Sequence, residues 1–267
     1  MSQPSSRRLI VHLGLQKTGS TSLHHFLQKN AAALEPRLQI LTPRRESPTR
    51  AMGRIAALFS LDPAREGDFT AAIAAVRAEI GADSRPVTLI SHENLPGAMP
   101  GRGGTATLYP ALEEIVARLD THLAPFVPEY ALFTRDMGAW KRSVWGQAVR
   151  SDGYAEPFET FLAETADCGT WESLGQRLRA AAPGRAHVFA LEDEPDPARP
   201  GTQLLRLAGL SEAEISALAP QTRSSNTALN SGSLEFLRLL NSLKLDREPR
   251  RRVAELAIRN QALFVST

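Results

Sequence analysis

Three short stretches of this chain carry residues whose types and spacing suit work on an anion. The first is LIVHLGLQKTGSTSLHHFL, residues 9–27. An apolar run opens into Gly14-Leu15-Gln16-Lys17-Thr18-Gly19-Ser20-Thr21-Ser22, and an amphipathic stretch comes next. The pattern G-x-x-x-x-G with hydroxyl residues behind it is close to a phosphate-binding loop. Two glycines let the backbone wrap an anion, and N–H groups at the start of the next helix point at its oxygens. A loop built for a nucleoside triphosphate carries Lys directly after the second glycine. Here Ser20 stands there, and the lysine is Lys17, two residues before Gly19. That shift serves a triphosphate and its magnesium poorly. It suits a shorter anhydride, with Lys17 beside the bridging oxygen where leaving-group charge develops. The competing account is a plain glycine turn with Ser20 or Thr21 capping the helix.

The second stretch, YALFTRDMGAWKRSVWGQAVRSDGY, covers residues 130–154. Arg135 closes a strand, and Ser143 lies eight residues on, about two helical turns into the next element. A guanidinium and a hydroxyl so spaced can converge on one phosphate. Alternatively, Arg135 and Asp136 form a turn and Ser143 sits on a solvated face. In the third stretch a buried strand ends in Ser91-His92-Glu93. Strand ends of this type face the ligand crevice, and His92 or Glu93 could accept a proton from a hydroxyl. Adjacent strand residues point opposite ways, so one of the two faces the site. His12 alternates away from the loop and reads as a core histidine, while His24 and His25 fall on the first helix. Trp140, Trp145, Tyr154 and Arg150 are candidates to face an acceptor. No spacing resembles a zinc site, and Arg250-Arg251-Arg252 reads as a solvated face.

The first two stretches together resemble the sulfotransferases that use 3′-phosphoadenosine 5′-phosphosulfate (PAPS). In that family a K-T-G-T/S-T loop after the first strand grips the 5′-phosphosulfate, and Lys17-Thr18-Gly19-Ser20-Thr21 matches it residue by residue. An Arg and a Ser eight apart hold the 3′-phosphate, as Arg135 and Ser143 are spaced. Glycan-sulfating members carry a Ser-x-Glu at the third stretch, whose Glu is the base, and Glu93 matches it. Cytosolic animal members use a His there, which His92 would imitate. Ser225-Asn226-Thr227, with the helix through Leu234, Leu237 and Asn241, is similar to bacterial members. The resemblance implies in-line transfer from PAPS to a hydroxyl of a carbohydrate, glycolipid or other small acceptor, with PAP as product and no metal. It implies cofactor contacts from Gln16, Lys17, Thr18, Gly19, Ser20, Thr21, Arg135 and Ser143, and catalysis by Lys17 with Glu93 or His92. The Gly-rich adenine loop of the animal enzymes is missing, which leaves Gln221–Asn230 as the candidates for holding adenine. Two rivals stand beside this. One is a P-loop kinase using Glu192-Asp193 at a strand end for magnesium; the other is a PAP-binding protein without activity.

The elements that must position these residues can be read from pattern. Short apolar runs at 9–13, 87–90, 130–133 and 187–191, with a weaker one at 38–41, read as buried strands. Leu112, Ile115, Val116, Leu119 and Leu123 share a helical face, and 69–80 and 171–181 read similarly. Strands alternating with helices predict a P-loop-like, three-layer α/β domain with a mainly parallel sheet of four or five strands. Its core spans about 9–200, with a helical C-terminal part from 201 to 267. At 267 residues one such domain suffices. Hydrophobic residues at 42% and charged residues at 22% exclude a disordered or collagenous chain. A net charge of +2 gives no bulk-charge argument for nucleic acid. The single cysteine, Cys168, excludes an intramolecular disulfide and fits a reducing compartment. No apolar run approaches the ~18 residues of a membrane span, and no signal-peptide pattern opens the chain. The expectation is therefore a cytoplasmic protein, and its Ala- and Arg-rich composition suggests a bacterial one.

Overall fold

A computed structural model of the chain describes residues 7–100, 106–221, 229–243 and 245–264. Among these residues five strands form one all-parallel sheet: β1 (Arg8–His12), β2 (Leu38–Leu41), β3 (Val87–Ser91), β4 (Pro128–Thr134) and β5 (Ala186–Ala190). The order across the sheet is β2-β3-β1-β4-β5. All five expected strands are present, within two residues of their expected ends. Every residue of β3 and four of five in β1 are buried, as a parallel strand covered on both faces requires. Because β1 lies between β3 and β4, chain order reverses on its two sides, and ligands of open α/β sheets bind at such a switch point.

Helices flank the sheet, among them the short α2 (Ala31–Leu34) and α10 (Glu212–Ala217). From α1 (Ser20–Lys29), Leu23, Phe26 and Leu27 pack with Leu204 and Leu205 of α9 (Thr202–Leu207) and with Ala208 just after it, against Ile10, Leu89, Ala131 and Phe133. Helices α3 (Pro48–Phe59), α4 (Glu66–Gly81) and α5 (Leu112–Leu123) pack in succession, and α8 (Trp171–Ala181) contacts α5 and β5. In α5 the buried residues are Leu112, Ile115, Val116, Leu119 and Leu123, the face anticipated from spacing.

The chain divides into two compact units. The first comprises Met1–Ala98, Leu108–Arg135 and Thr170–Ser225; the second comprises Met99–Thr107, Asp136–Gly169 and Asn226–Thr267. The second is helical: α6 (Met137–Gln147), a π-helical turn (Ala148–Asp152), α7 (Phe158–Glu164), α11 (Ser231–Ser242) and α12 (Arg247–Arg259). Among the described residues no helix is long and apolar enough to cross a membrane.

Candidate functional site

The loop after β1 is held by its own hydroxyls and by the neighbouring strand. Phe133 N–H donates to the Gly14 carbonyl at 2.7 Å, fastening the loop entrance to β4. Thr18 and Ser20 both donate their hydroxyl protons to the Leu15 carbonyl, at 2.7 and 3.1 Å. A hydroxyl has one proton, so these two side chains shape the loop. The Ser20 contribution to an anion is then its backbone N–H at the start of α1. Gly19 occupies the N-cap in the left-handed region (φ 91°), and no side chain caps the helix there. Lys17 is left-handed too (φ 66°). A non-glycine residue in that region is a strained choice that the surrounding structure must enforce. Lys17 and Thr21 are half-buried. The plain capped-helix account of this loop is not what forms.

Gln16, expected to touch a cofactor, is turned into the protein and is 6% exposed. Its amide donates to Asn94 Oδ1 and the Gly97 carbonyl, and its oxygen accepts from the Tyr109 hydroxyl at 2.6 Å. It braces the loop against the segment after β3. At Gly14 (φ 102°) an added Cβ would stand 2.7 Å from Glu93 Cα. Only glycine permits that approach, and it sets the lysine loop directly against the end of β3. Arg135, half-buried at the end of β4, donates to the Lys17 carbonyl at 3.4 Å. Its own carbonyl accepts from Trp171 Nε1. Lys17, Glu93 and Arg135 thus gather at the carboxyl ends of β1, β3 and β4.

The two candidate bases differ sharply. His92 is 4% exposed, and its Nδ1 accepts the Asn94 backbone N–H at 3.1 Å. Its ring fills the space where Gly53 of α3 has no side chain; a Cβ there would lie 2.2 Å from His92 Cδ2. Burial holds its pKa below the ordinary histidine value. Those contacts suit packing. The Glu93 side chain is 30% exposed, and its Oε2 is shielded without a hydrogen-bond partner among the described residues. That oxygen stands 3.8 Å from His92 Nδ1 and 4.0 Å from His24 Nδ1.

Two residues unclaimed by sequence reasoning belong here. His12 is buried, as expected of a core histidine, but it does not face away from the loop. Its ring lines a crevice of about 10 Å³ with Thr18, Gly19 and Ser20. Its Nδ1 is 2.7 Å from Ser91 Oγ, which is also 2.8 Å from His24 Nε2. Burial pushes His12 down to about 3 and His24 down to about 4, so both rings are neutral at pH 7. A signal was present: the expected strand end at Ser91 lies beside β1 in any parallel pairing of these two strands. Among the described residues no group of three or more His, Cys, Asp or Glu has the arrangement to hold a metal ion.

Ser143 lies on α6, half-buried, within the second unit. Asp136, rather than forming a turn with Arg135, caps that helix by accepting Ala139 N–H at 2.8 Å. Trp140 and Trp145 are buried within the second unit, and Trp145 Nε1 donates to the Glu156 carbonyl. Tyr154 donates its hydroxyl to Glu164 at 2.7 Å and lines a cavity of about 390 Å³ with Val144, Asp152 and Glu156. Arg150 is exposed. Arg250 is not part of a solvated run: it donates to Asn241 Oδ1 and the Val149 carbonyl. Residues 222–228, which include most of the adenine candidates and Ser225-Asn226-Thr227, lie outside the described residues. Compared with models of known protein families and with curated proteins, the chain matches none.

Proposed function

We propose that the chain is a PAPS-dependent sulfotransferase acting on a carbohydrate, glycolipid or similar small hydroxyl acceptor. One observation carries the reading: the Lys17 loop abuts Glu93 through Gly14, at the switch point of a parallel sheet. A group that stabilises a leaving phosphate and a carboxylate that takes a hydroxyl proton are the two ends an in-line sulfuryl transfer needs. In that reaction Glu93 accepts the acceptor's proton as its oxygen bonds to sulfur. Lys17 stabilises the phosphate oxygen released as the sulfur–oxygen bond breaks. Backbone N–H groups from Thr18 to Thr21, at the head of a ten-residue helix, hold the 5′-phosphate. His12 lines the same crevice as Thr18, Gly19 and Ser20. His92 is a packing residue in this account. Arg135 and Ser143 hold the 3′-phosphate, a role that rests on their spacing in the sequence.

Phosphoryl transfer with magnesium is less well served. Glu192 and Asp193 lie just after β5, the edge strand, and β4 stands between β5 and β1. Calorimetric titration with PAP, and with ADP plus magnesium for comparison, tests the assignment. Tighter binding of PAP, weakened by Arg135→Ala or Ser143→Ala, is expected. Preference for ADP with magnesium would overturn it.

A further inference from the structure

Tyr109 is fully buried and stands in the left-handed region at φ 45°. For a bulky residue that conformation is an outlier, which the surroundings must enforce. Arg177 of α8 does so. Its Nη2 donates to the Tyr109 carbonyl at 2.9 Å, its Nη1 donates to the Leu108 carbonyl at 2.8 Å, and Glu113 pairs with the guanidinium. The turn so fixed aims the ring at the lysine loop. The Tyr109 hydroxyl donates to Gln16 Oε1 at 2.6 Å, and the Gln16 backbone hydrogen-bonds the same hydroxyl.

The Gln16 amide has one orientation open to it there. Its nitrogen donates to Asn94 Oδ1 at 3.1 Å and to the Gly97 carbonyl at 2.9 Å. Both partners are acceptors, so turning the amide over would set oxygen against oxygen. Its oxygen needs a donor on the other side, and the Tyr109 hydroxyl is that donor. Burial pushes the Tyr109 pKa up, which keeps the proton in place. Gln16 directly precedes Lys17, itself left-handed at φ 66°, and Asn94 directly follows Glu93. The clamp Tyr109–Gln16–Asn94 therefore joins the neighbours of the two residues that the transfer sets against each other. From β4 the loop is held separately, by Phe133 N–H on the Gly14 carbonyl and by Arg135 on the Lys17 carbonyl. Those bonds fix the loop to β4, and Gln16 fixes it to the segment that carries Glu93.

We propose that Tyr109 is a positioning residue for the transfer: acting through the Gln16 amide, its hydroxyl keeps Lys17 in register with Glu93 and so sets the rate of the chemical step, not the affinity for nucleotide. The proposal rests on Lys17 and Glu93 being the two ends of that step. Tyr109 is closed off from solvent, so it acts through Gln16 and not on the substrate. Affinity is a separate matter, because the N–H groups that hold the phosphate stand at the head of α1. Thr18 and Ser20 secure that part of the loop through the Leu15 carbonyl. Without the Tyr109 hydroxyl, Gln16 Oε1 is left unpaired in a buried place, which is costly. The amide shifts to recover a partner, and the backbone at Lys17 and at Asn94 shifts with it. A misplacement of about 1 Å between reacting groups costs up to about 100-fold in rate, while the anion still meets the same N–H groups.

The test is Tyr109→Phe in the full chain, with Asn94→Ala as a milder cut of the same clamp. Single-turnover conversion of PAPS to PAP, with water as the acceptor, reads the chemical step, and calorimetry reads the affinity for PAP. Expected in both variants is a rate lowered by about 10- to 100-fold, with PAP affinity changed by less than about twofold. In a Gln16→Met chain, Tyr109→Phe should cause no further loss of rate, because the hydroxyl acts through that amide. Hydrogen exchange in Tyr109→Phe should speed up together in residues 14–19 and 93–97. If Tyr109→Phe does not fold, Asn94→Ala decides by the same readouts. An unchanged rate, a PAP affinity that falls in step with the rate, or full additivity with Gln16→Met overturns the positioning role and leaves the sulfotransferase reading standing. An unaltered chain that fails to bind PAP or to convert PAPS removes that reading. Exchange then judges the clamp, which stands if both segments respond and falls if either does not.

Discussion

Two stretches of irregular backbone sit in the two units of this protein, and they are held in different ways. In the first unit the loop from Gly14 to Gly19 carries support of its own beside remote bonds to Gly14, Gln16 and Lys17: Thr18 and Ser20 reach back three and five residues to the Leu15 carbonyl. In the second unit the π-helical turn Ala148–Asp152 is secured from far along the chain. Asn241, 92 residues after Val149, donates to the carbonyls of Val149 and Tyr154, and Arg250 adds a bond to Val149. A turn that draws part of its support from its own side chains leaves a motif in the sequence. A turn whose partners are remote forms only when the tertiary structure does. Both kinds of irregularity are over-represented at functional sites, but only the first announces itself.

The largest expected effect belongs to the first stretch. Lys17→Ala should lower turnover of PAPS to PAP by about 100- to 1000-fold, the range for losing one charge-stabilising donor at an oxyanion. PAP release in single-turnover assays measures it. Circular dichroism should be unchanged, because the Leu15 carbonyl keeps its Thr18 and Ser20 bonds. Unaltered turnover would remove the lysine from the chemistry and with it the main distinction between the two stretches.

Acid sharpens the comparison, because the neutral histidines lie beside the first stretch. Burial lowers His12 from 6.5 to about 3 and His24 from 6.5 to about 4. As pH falls through 6.5 the unfolded chain binds these protons and the folded chain does not. Stability is therefore complete above pH 7 and declines until the folded rings titrate. Between pH 8 and pH 5 each ring should cost about 2 kcal/mol. Denaturant midpoints across that range measure the loss, and His24→Gln should remove its share of about 2 kcal/mol. A flat profile would mean that the rings are not held neutral.

The sheet was legible because each strand is an apolar run between turn signals, and parallel pairing with burial on both faces needs little else. The Lys17 loop was legible because its glycines and hydroxyls are consecutive. The choice between His92 and Glu93 was not. It turns on Gly53, a helix residue whose missing side chain makes room for the His92 ring, and nothing in the sequence near residue 92 reports that. Gln16 was misjudged for the same reason: its partners Asn94, Gly97 and Tyr109 are all remote in sequence. His12 was assigned to the core by strand alternation, which gives the face of the sheet but not what else lines the space at the strand's end.

A smaller effect is expected in the second unit. Asn241→Ala leaves the Val149 and Tyr154 carbonyls without that amide, at a cost of about 1–3 kcal/mol. Hydrogen exchange should accelerate in residues 148–154 and stay unchanged in the Lys17 loop. Faster exchange in both would break the distinction between local and remote support.

The smallest effect separates neighbours within one basic run. Arg250, Arg251 and Arg252 look alike in sequence and differ in what they touch. Arg251 and Arg252 are exposed and pair with Glu248 on their own helix, at 2.8 and 3.0 Å. Such pairs give up side-chain freedom for an attraction that water largely screens. Arg250 is half-buried and donates to Asn241 Oδ1 at 2.8 Å, orienting the amide that clamps the π-helical turn. Arg250→Ala should therefore cost about 1.5 kcal/mol, the low end for hydrogen bonds to a charged group. It should also carry part of the Asn241 exchange signature, whereas Arg251→Ala should leave the denaturant midpoint where it is. Because Arg250 acts through Asn241, the double variant Arg250→Ala/Asn241→Ala should cost less than the sum of the two single changes. Strict additivity would mean that Arg250 holds Val149 directly and that its bond to Asn241 contributes nothing.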